Sequence, residues 1–149
     1  MEIFPIIPAS SKPLWFITVI VTLLTLVIVA LIYSGYSSQH SRVEIENERL
    51  RLVGDFWGRS IPLELLNISE VRIVDLNNRS EYLPKFRTLG TGLPGYASGW
   101  FRLHNGEKAL VYLTQRKQVI YIPTSLDYSL LLSVEQPERL IGILQQRAL

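Results

Sequence analysis

The chain contains no cysteine, only two histidines and a single methionine. Without cysteine there is no disulfide framework, no thiolate nucleophile and no Cys-ligated zinc, and the redox clue to a compartment is missing as well. The histidines, His40 and His104, are too few and too far apart in sequence to build an imidazole-based metal set. A charge excess of one sign is also missing: 15 Lys and Arg stand against 13 Asp and Glu, for a net charge of +2. Lys12 and Glu2 are the only charged residues before Arg42, so nearly all of this balance falls on the remainder, where the signs are interspersed. Nucleic-acid binding needs a basic stripe or face, and the densest cluster is only Arg116-Lys117, so no nucleic-acid partner is expected. The stretch over 42–51 mixes Arg42, Arg49 and Arg51 with Glu44, Glu46 and Glu48, which is not a polybasic tether for anionic lipid. There is no internal repeat and no low-complexity tract after residue 41.

What is present in quantity is one apolar run. Leu14 to Tyr33 reads LWFITVIVTLLTLVIVALIY without a charge. About twenty helical residues at about 1.5 Å each span about 30 Å, the hydrocarbon thickness of a bilayer, so the run is expected to be a single transmembrane helix. Val, Ile and Thr form helices poorly in water, but lipid leaves the backbone no other way to satisfy its polar groups. Trp15 and Tyr33, with Tyr36 just beyond, mark the two interfaces where amphipathic rings gather. A cleaved secretory signal is the competing reading. The run exceeds the usual apolar core of about 7–15 residues and YSGYSSQHS lacks a clear cleavage site, so a retained anchor is expected. Lys12 on one side against Arg42, Arg49 and Arg51 on the other leans toward a cytoplasmic C-terminal domain.

This gives a tail at 1–13, the span at 14–33, a polar linker at 34–41 and one mainly β domain at 42–149. In RVEIENERLRLV, Val43 and Ile45 alternate with charges, Glu46-Asn47-Glu48 interrupts, and Leu50 and Leu52 resume, a hairpin pattern. Gly54-Asp55 and Gly58 punctuate the next turn around Phe56 and Trp57. Pro62 restricts the segment Ser60–Leu66 to an edge or a strand start. Val71–Leu76 alternates again, and 77–88 reads as polar and irregular. Trp100–Leu103, Lys108–Leu113, Gln118–Ile122 and Tyr128–Val134, separated by turn signals, predict an antiparallel meander. Asn105-Gly106 predicts a type I′ turn, whose two central residues need positive φ. Pro137 suits a first helical turn, and Leu140, Ile141 and Leu144 then share one face of a closing helix over 137–147.

Motifs with chemical meaning are weak. Gly90-Thr-Gly92-Leu-Pro-Gly95 satisfies G-x-G-x-x-G, but a phosphate loop follows a strand and opens a helix, whereas this one carries Pro94 and leads into the strand at Trp100. The acidic residue required about 20 positions on is missing, since Val111–Arg116 reads VYLTQR. The expected role of Gly90, Gly92, Pro94, Gly95, Tyr96, Gly99 and Trp100 is therefore an ordered structural or contact loop. Gly95-Tyr-Ala-Ser98-Gly99 misses the nucleophile elbow by one residue. Glu44, Glu46 and Glu48 share a solvated strand face. Asn67-Ile-Ser69 and Asn78-Arg79-Ser80 match the glycosylation acceptor, a pattern common by chance. No catalytic set, cofactor or metal is expected.

The series Gly90–Tyr96, Gly99-Trp100-Phe101, Gly106–Leu110, Val119–Thr124 and Tyr128–Ser133 resembles the bacterial pleckstrin-homology-like (PH-like) family, over roughly 50–143. The resemblance implies a PH-like fold: two packed antiparallel sheets of about seven strands, with a C-terminal helix closing one end. It further implies a domain often joined to membrane segments, with no catalytic residues to carry over. One departure is clear. Phosphoinositide-binding PH domains hold the headgroup with several Lys and Arg around the first strands, whereas Glu46-Asn47-Glu48 is acidic and Gly54–Arg59 sets Asp55 beside a single Arg. The expected function is a single-pass membrane-anchored binding or scaffolding module that contacts a protein partner at the membrane surface. Lipid-headgroup binding, a homo-oligomer subunit and an anchored hydrolase using Ser98 or His104 are the alternatives.

Overall fold

The first helix, α1, runs Lys12–His40 and is apolar on every side. Its side chains from Leu14 to Ile32 are exposed all round, the pattern of a helix without a core-facing stripe. Three threonines are accommodated within it: Thr18, Thr22 and Thr25 donate their hydroxyls to the carbonyls of Leu14, Thr18 and Val21 at 2.9, 2.8 and 2.8 Å. Each polar hydroxyl is thus satisfied inside the helix, as a lipid surrounding would demand. The helix is long and apolar enough to cross a membrane. It also continues to His40, so the segment 34–41 expected as a linker is mostly helical.

The computed structural model describes residues 1–78 and 80–149 and divides into two units, Met1–Tyr36 and Ser37–Leu149. Arg79, and with it the middle of the Asn78-Arg79-Ser80 motif, lies outside the described residues. Among its described residues the second unit is mainly β, with nine strands in sheets of three and six and a C-terminal helix.

The small sheet holds β1 (Arg42–Glu46), β2 (Arg49–Val53) and β3 (Ser60–Pro62), all antiparallel. The β1–β2 turn is Asn47-Glu48 with φ of +48° and +57°, the primed geometry whose twist matches the flanking strands. β3 is an edge, so the missing N–H of Pro62 costs no ladder bond.

The large sheet has the order β4-β8-β9-β7-β6-β5, comprising β4 (Arg72–Val74), β5 (Pro84–Leu93), β6 (Tyr96–Leu103), β7 (Lys108–Leu113), β8 (Val119–Ile122) and β9 (Ser129–Leu132). Of the expected meander, the antiparallel pairs β6–β7 and β8–β9 form. β8 does not pair with β7; β9 inserts between them, parallel to β7 from Ala109↔Ser129 to Tyr112↔Leu132 and antiparallel to β8. Turn residues signal that the chain reverses but not which strand it returns beside. The runs VIYI and SLLL, buried throughout, fit strands covered on both faces. The turn after β6 also differs from expectation. Gly106 N–H bonds the Leu103 carbonyl at 3.0 Å, and only Gly106 (φ +90°) has positive φ there. His104-Asn105 are therefore the central pair of a type I turn, with glycine in the bulge position that follows. Part of the stretch expected to be irregular, from Pro84 on, is strand β5.

Each face of the large sheet has its own core. Between the sheets, Leu50, Leu52, Ile61, Leu110, Ile120 and Leu130 pack with Leu144 of α2 (Pro137–Arg147), and Leu140 and Ile141 join from the same helical face. On the other face Phe101, Val111, Val119 and Leu131 pack with Leu76, and Tyr82 and Leu83 from the preceding segment lie against them.

Candidate binding groove

A single carboxylate fastens three parts of the domain. Asp55, in the β2–β3 connection, accepts the Trp57 N–H at Oδ1 (2.9 Å), an Asx turn that shapes the loop from within. The same Oδ1 accepts the Tyr112 hydroxyl of β7 at 2.5 Å, and Oδ2 accepts the Tyr96 hydroxyl of β6 at 3.1 Å. Ser41 Oγ lies 3.2 Å from the Tyr96 hydroxyl and donates to the Ser37 carbonyl at 2.7 Å. The Ser37 hydroxyl in turn donates to the Gly54 carbonyl. Burial, and then the bond to Asp55, push the Tyr112 phenol far above its ordinary pKa. Burial also raises Tyr96, with Ser41 pulling it down and Asp55 pushing it up. Both phenols are held as neutral donors, and the Asp55 oxygens are occupied by donors, so this cluster is arranged to hold rather than to react.

Beside it opens a groove of about 950 Å³. Its apolar floor is formed by Leu52, Leu132, Leu140 and Ile143. The rim carries amides and hydroxyls: Gln39, Thr114, Gln115, Gln118, Ser133 and Gln136. Its two cations are committed within the domain, Arg42 to Glu44 at 2.6 Å and Arg139 to the Gln136 side-chain oxygen at 3.1 Å. A smaller cavity of about 380 Å³ shares Tyr96, Thr114 and Gln115 with the groove and is lined further by Arg87 and Arg116.

The glycine-rich segment is a hairpin rather than a loop. β5 and β6 pair from Pro84↔Leu103 to Leu93↔Tyr96, leaving Pro94-Gly95 as the turn. Gly95 has φ +76°, the requirement at the third residue of a type II turn whose second residue is proline. Gly90 and Gly99 face each other across the ladder, and a Cβ on Gly99 would fall 2.5 Å from both the Gly90 Cα and the Leu89 carbonyl oxygen. Gly92 leaves room for the Arg87 guanidinium. Tyr96 belongs to the Asp55 cluster. Trp100, on the same strand, lies 4.6 Å from Lys108 Nζ and 5.7 Å from the Arg59 guanidinium carbon, with the Tyr128 ring edge-on at 4.9 Å.

Ser98 is fully buried on β6 and its hydroxyl finds no partner. His104 sits in the turn at the other end of that strand, about 20 Å away at about 3.3 Å per residue, so the two do not form a dyad. Among the described residues no group of three or more His, Asp or Glu is placed to hold a metal ion. A second polar cluster joins Glu107, itself exposed, which accepts from Tyr121 at 2.8 Å and Ser129 at 3.1 Å. Burial first, eased by Ser129 and reinforced by Glu107, pushes the Tyr121 phenol up to about 12. The groove itself, with Arg42, Arg139 and the Asp55 hub, was missed by sequence reasoning. Asp55 reads as turn punctuation after Gly54, and no spacing signals that Tyr96 and Tyr112 converge on it.

No curated protein and no solved structure matches the chain. The family described as Bacterial PH domain matches residues 41–148, the span of both sheets and the C-terminal helix. The chain belongs to the bacterial PH domain family.

Proposed function

We propose that this chain is a single-pass, membrane-anchored, non-catalytic module whose PH-like domain holds a segment of a partner protein in the groove between the small sheet, the β7 and β9 ends and α2. The observation that carries this reading is the groove's chemistry. Six rim side chains are neutral amides or hydroxyls able to donate or accept, which suits the alternating N–H and C=O groups of a peptide backbone, over a floor that takes apolar side chains. A polyphosphate headgroup would instead need several uncommitted cations, and both groove arginines already have partners. Anchoring rests on the exposed apolar helix α1. The arginines that follow it favour the cytoplasmic side for the domain.

The test is photocrosslinking. A photoreactive residue in place of Gln115, on the groove rim, is introduced into the full chain in native membranes. The expected product is a discrete adduct with a second polypeptide. Adducts with lipid alone would replace this reading by headgroup binding, and adducts only with another copy of the chain would make it a homo-oligomer contact.

A further inference from the structure

The smaller cavity, about 380 Å³, has a chemistry unlike that of the groove. Its apolar wall is made by Leu76, Leu83, Phe101 and Leu113 of the second core, together with Leu93 at the end of β5. Two guanidinium groups line it as well, Arg87 from β5 and Arg116 from the β7–β8 connection. Both arginines are exposed, so they stand where the cavity meets water. Among the described residues no carboxylate lines this cavity and neither guanidinium has an ion-pair or hydrogen-bond partner; the ion pairs of the domain engage Arg42, Arg51 and Lys108 instead.

The backbone around these two side chains is made to receive or hold them. A Cβ on Gly92 would fall 2.6 Å from Arg87 Nη1, so the glycine on the cavity wall is what leaves that guanidinium its place. The Arg116 carbonyl accepts the Leu76 N–H at 2.8 Å, and the carbonyl of the preceding Gln115 accepts the Ser133 hydroxyl at 3.1 Å, which ties the connection to its neighbours. Two like charges lining one cavity repel each other until an anion lies between them. A guanidinium presents its donors in a planar fork that matches the oxygens of a carboxylate or phosphate. The apolar wall adds to binding only if the ligand also brings apolar surface to bury. At about 30 Å³ for each water-sized unit, the cavity has room for about a dozen non-hydrogen atoms, a single anionic head with a chain such as that of octanoate.

We propose that this cavity binds a small amphipathic anion: one carboxylate or phosphate-monoester head held by Arg87 and Arg116, with a short unbranched tail lying against the leucines and Phe101. The site stands apart from the groove and holds whether or not a peptide occupies it. It also differs from recognition of a bilayer headgroup, because the tail of the ligand enters the protein.

The test uses the full chain in phosphatidylcholine nanodiscs, dialysed to equilibrium against radiolabelled octanoate, with empty nanodiscs as the blank for partition into lipid. Saturable retention above the blank, approaching one octanoate per chain, is expected. Acetate, which has the head without the tail, and octanol, which has the tail without the head, are expected to stay at the blank level. Arg87→Gln and Arg116→Gln are each expected to weaken octanoate binding ten-fold or more while leaving Tm unchanged, since both side chains are exposed. Gly92→Ala keeps both charges but displaces the Arg87 guanidinium, and is expected to weaken binding several-fold. Octyl phosphate in the same assay identifies the head, the tighter of the two anions being the class the site is built for. Retention of both anions at the blank level, octanol held as well as octanoate, or wild-type affinity in both arginine variants would each refute the site.

Discussion

Replacing Tyr112 by Phe removes one hydroxyl and nothing else, and its cost follows from what Asp55 retains. Oδ1 loses its 2.5 Å donor but keeps the Trp57 N–H, and Oδ2 keeps Tyr96. A hydrogen bond to a charged group is worth about 1.5–3 kcal/mol, and the fully unsatisfied case sits at the top of that range. Asp55 is only half-buried, so water can take the vacated position, and the expected cost is about 1.5–2 kcal/mol. For a domain of this size that lowers Tm by about 6–8 °C. The assay is thermal unfolding of the full chain in detergent, followed by tryptophan emission. A second signature comes from pH. The Tyr112 phenol is raised in the folded state, so its contribution is complete below the unfolded tyrosine value of about 10 and declines as pH rises beyond it. The gap between wild type and Tyr112→Phe is therefore expected to narrow above about pH 10. Tyr96→Phe shares the same carboxylate, and the double variant is expected to depart from additivity by 0.5 kcal/mol or more, about the lower bound for coupled neighbours. An unchanged Tm, or a gap constant through pH about 11, would refute the view that this bond braces the loop.

The remaining expectations concern backbone and anchor. Gly99→Ala puts a Cβ 2.5 Å from two backbone atoms at φ +115°, and is expected to cost about 3 kcal/mol or more or to abolish folding, read as lost soluble yield or lowered Tm. Gly95→Val meets open space and only the strain of φ +76°, so its cost should stay near 1–3 kcal/mol; equal losses at both positions would contradict the close strand approach. Glu48→Gly relieves a non-glycine residue at φ +57° in the β1–β2 turn and is expected to raise stability by about 0.5–1 kcal/mol in denaturant titration. Leu24→Arg should impair membrane insertion by about 2.5–3.5 kcal/mol, and unchanged yield in carbonate-washed membranes would count against a lipid-facing span.

What was legible from the chain was whatever is written in local periodicity. The apolar run, the β1–β2 alternation, Pro62 at an edge and the helical face of Leu140, Ile141 and Leu144 all carry their signal within a few residues. Non-local choices were not legible. Nothing near Ser129 says that β9 slips between β7 and β8 in parallel with β7. The Gly90–Gly99 segment concentrates turn-forming residues along its whole length, which hid two paired strands behind one two-residue turn. The Asp55 hub joins positions 41 and 57 residues apart, and the groove beside it exists only once those strands are assembled. The sandwich class was within reach of a single sequence, but its binding surface depended on long-range pairing.

The insertion of β9 has a consequence for how the protein is made. Without Ser129–Leu132 the large sheet would fall into two halves, β5-β6-β7 and β4-β8, each with a raw inner edge of unpaired N–H and C=O groups. The strand that joins them is the last in chain order among the described residues. Domains of this kind cannot zip up progressively; the domain must wait, open-edged, for nearly its whole length.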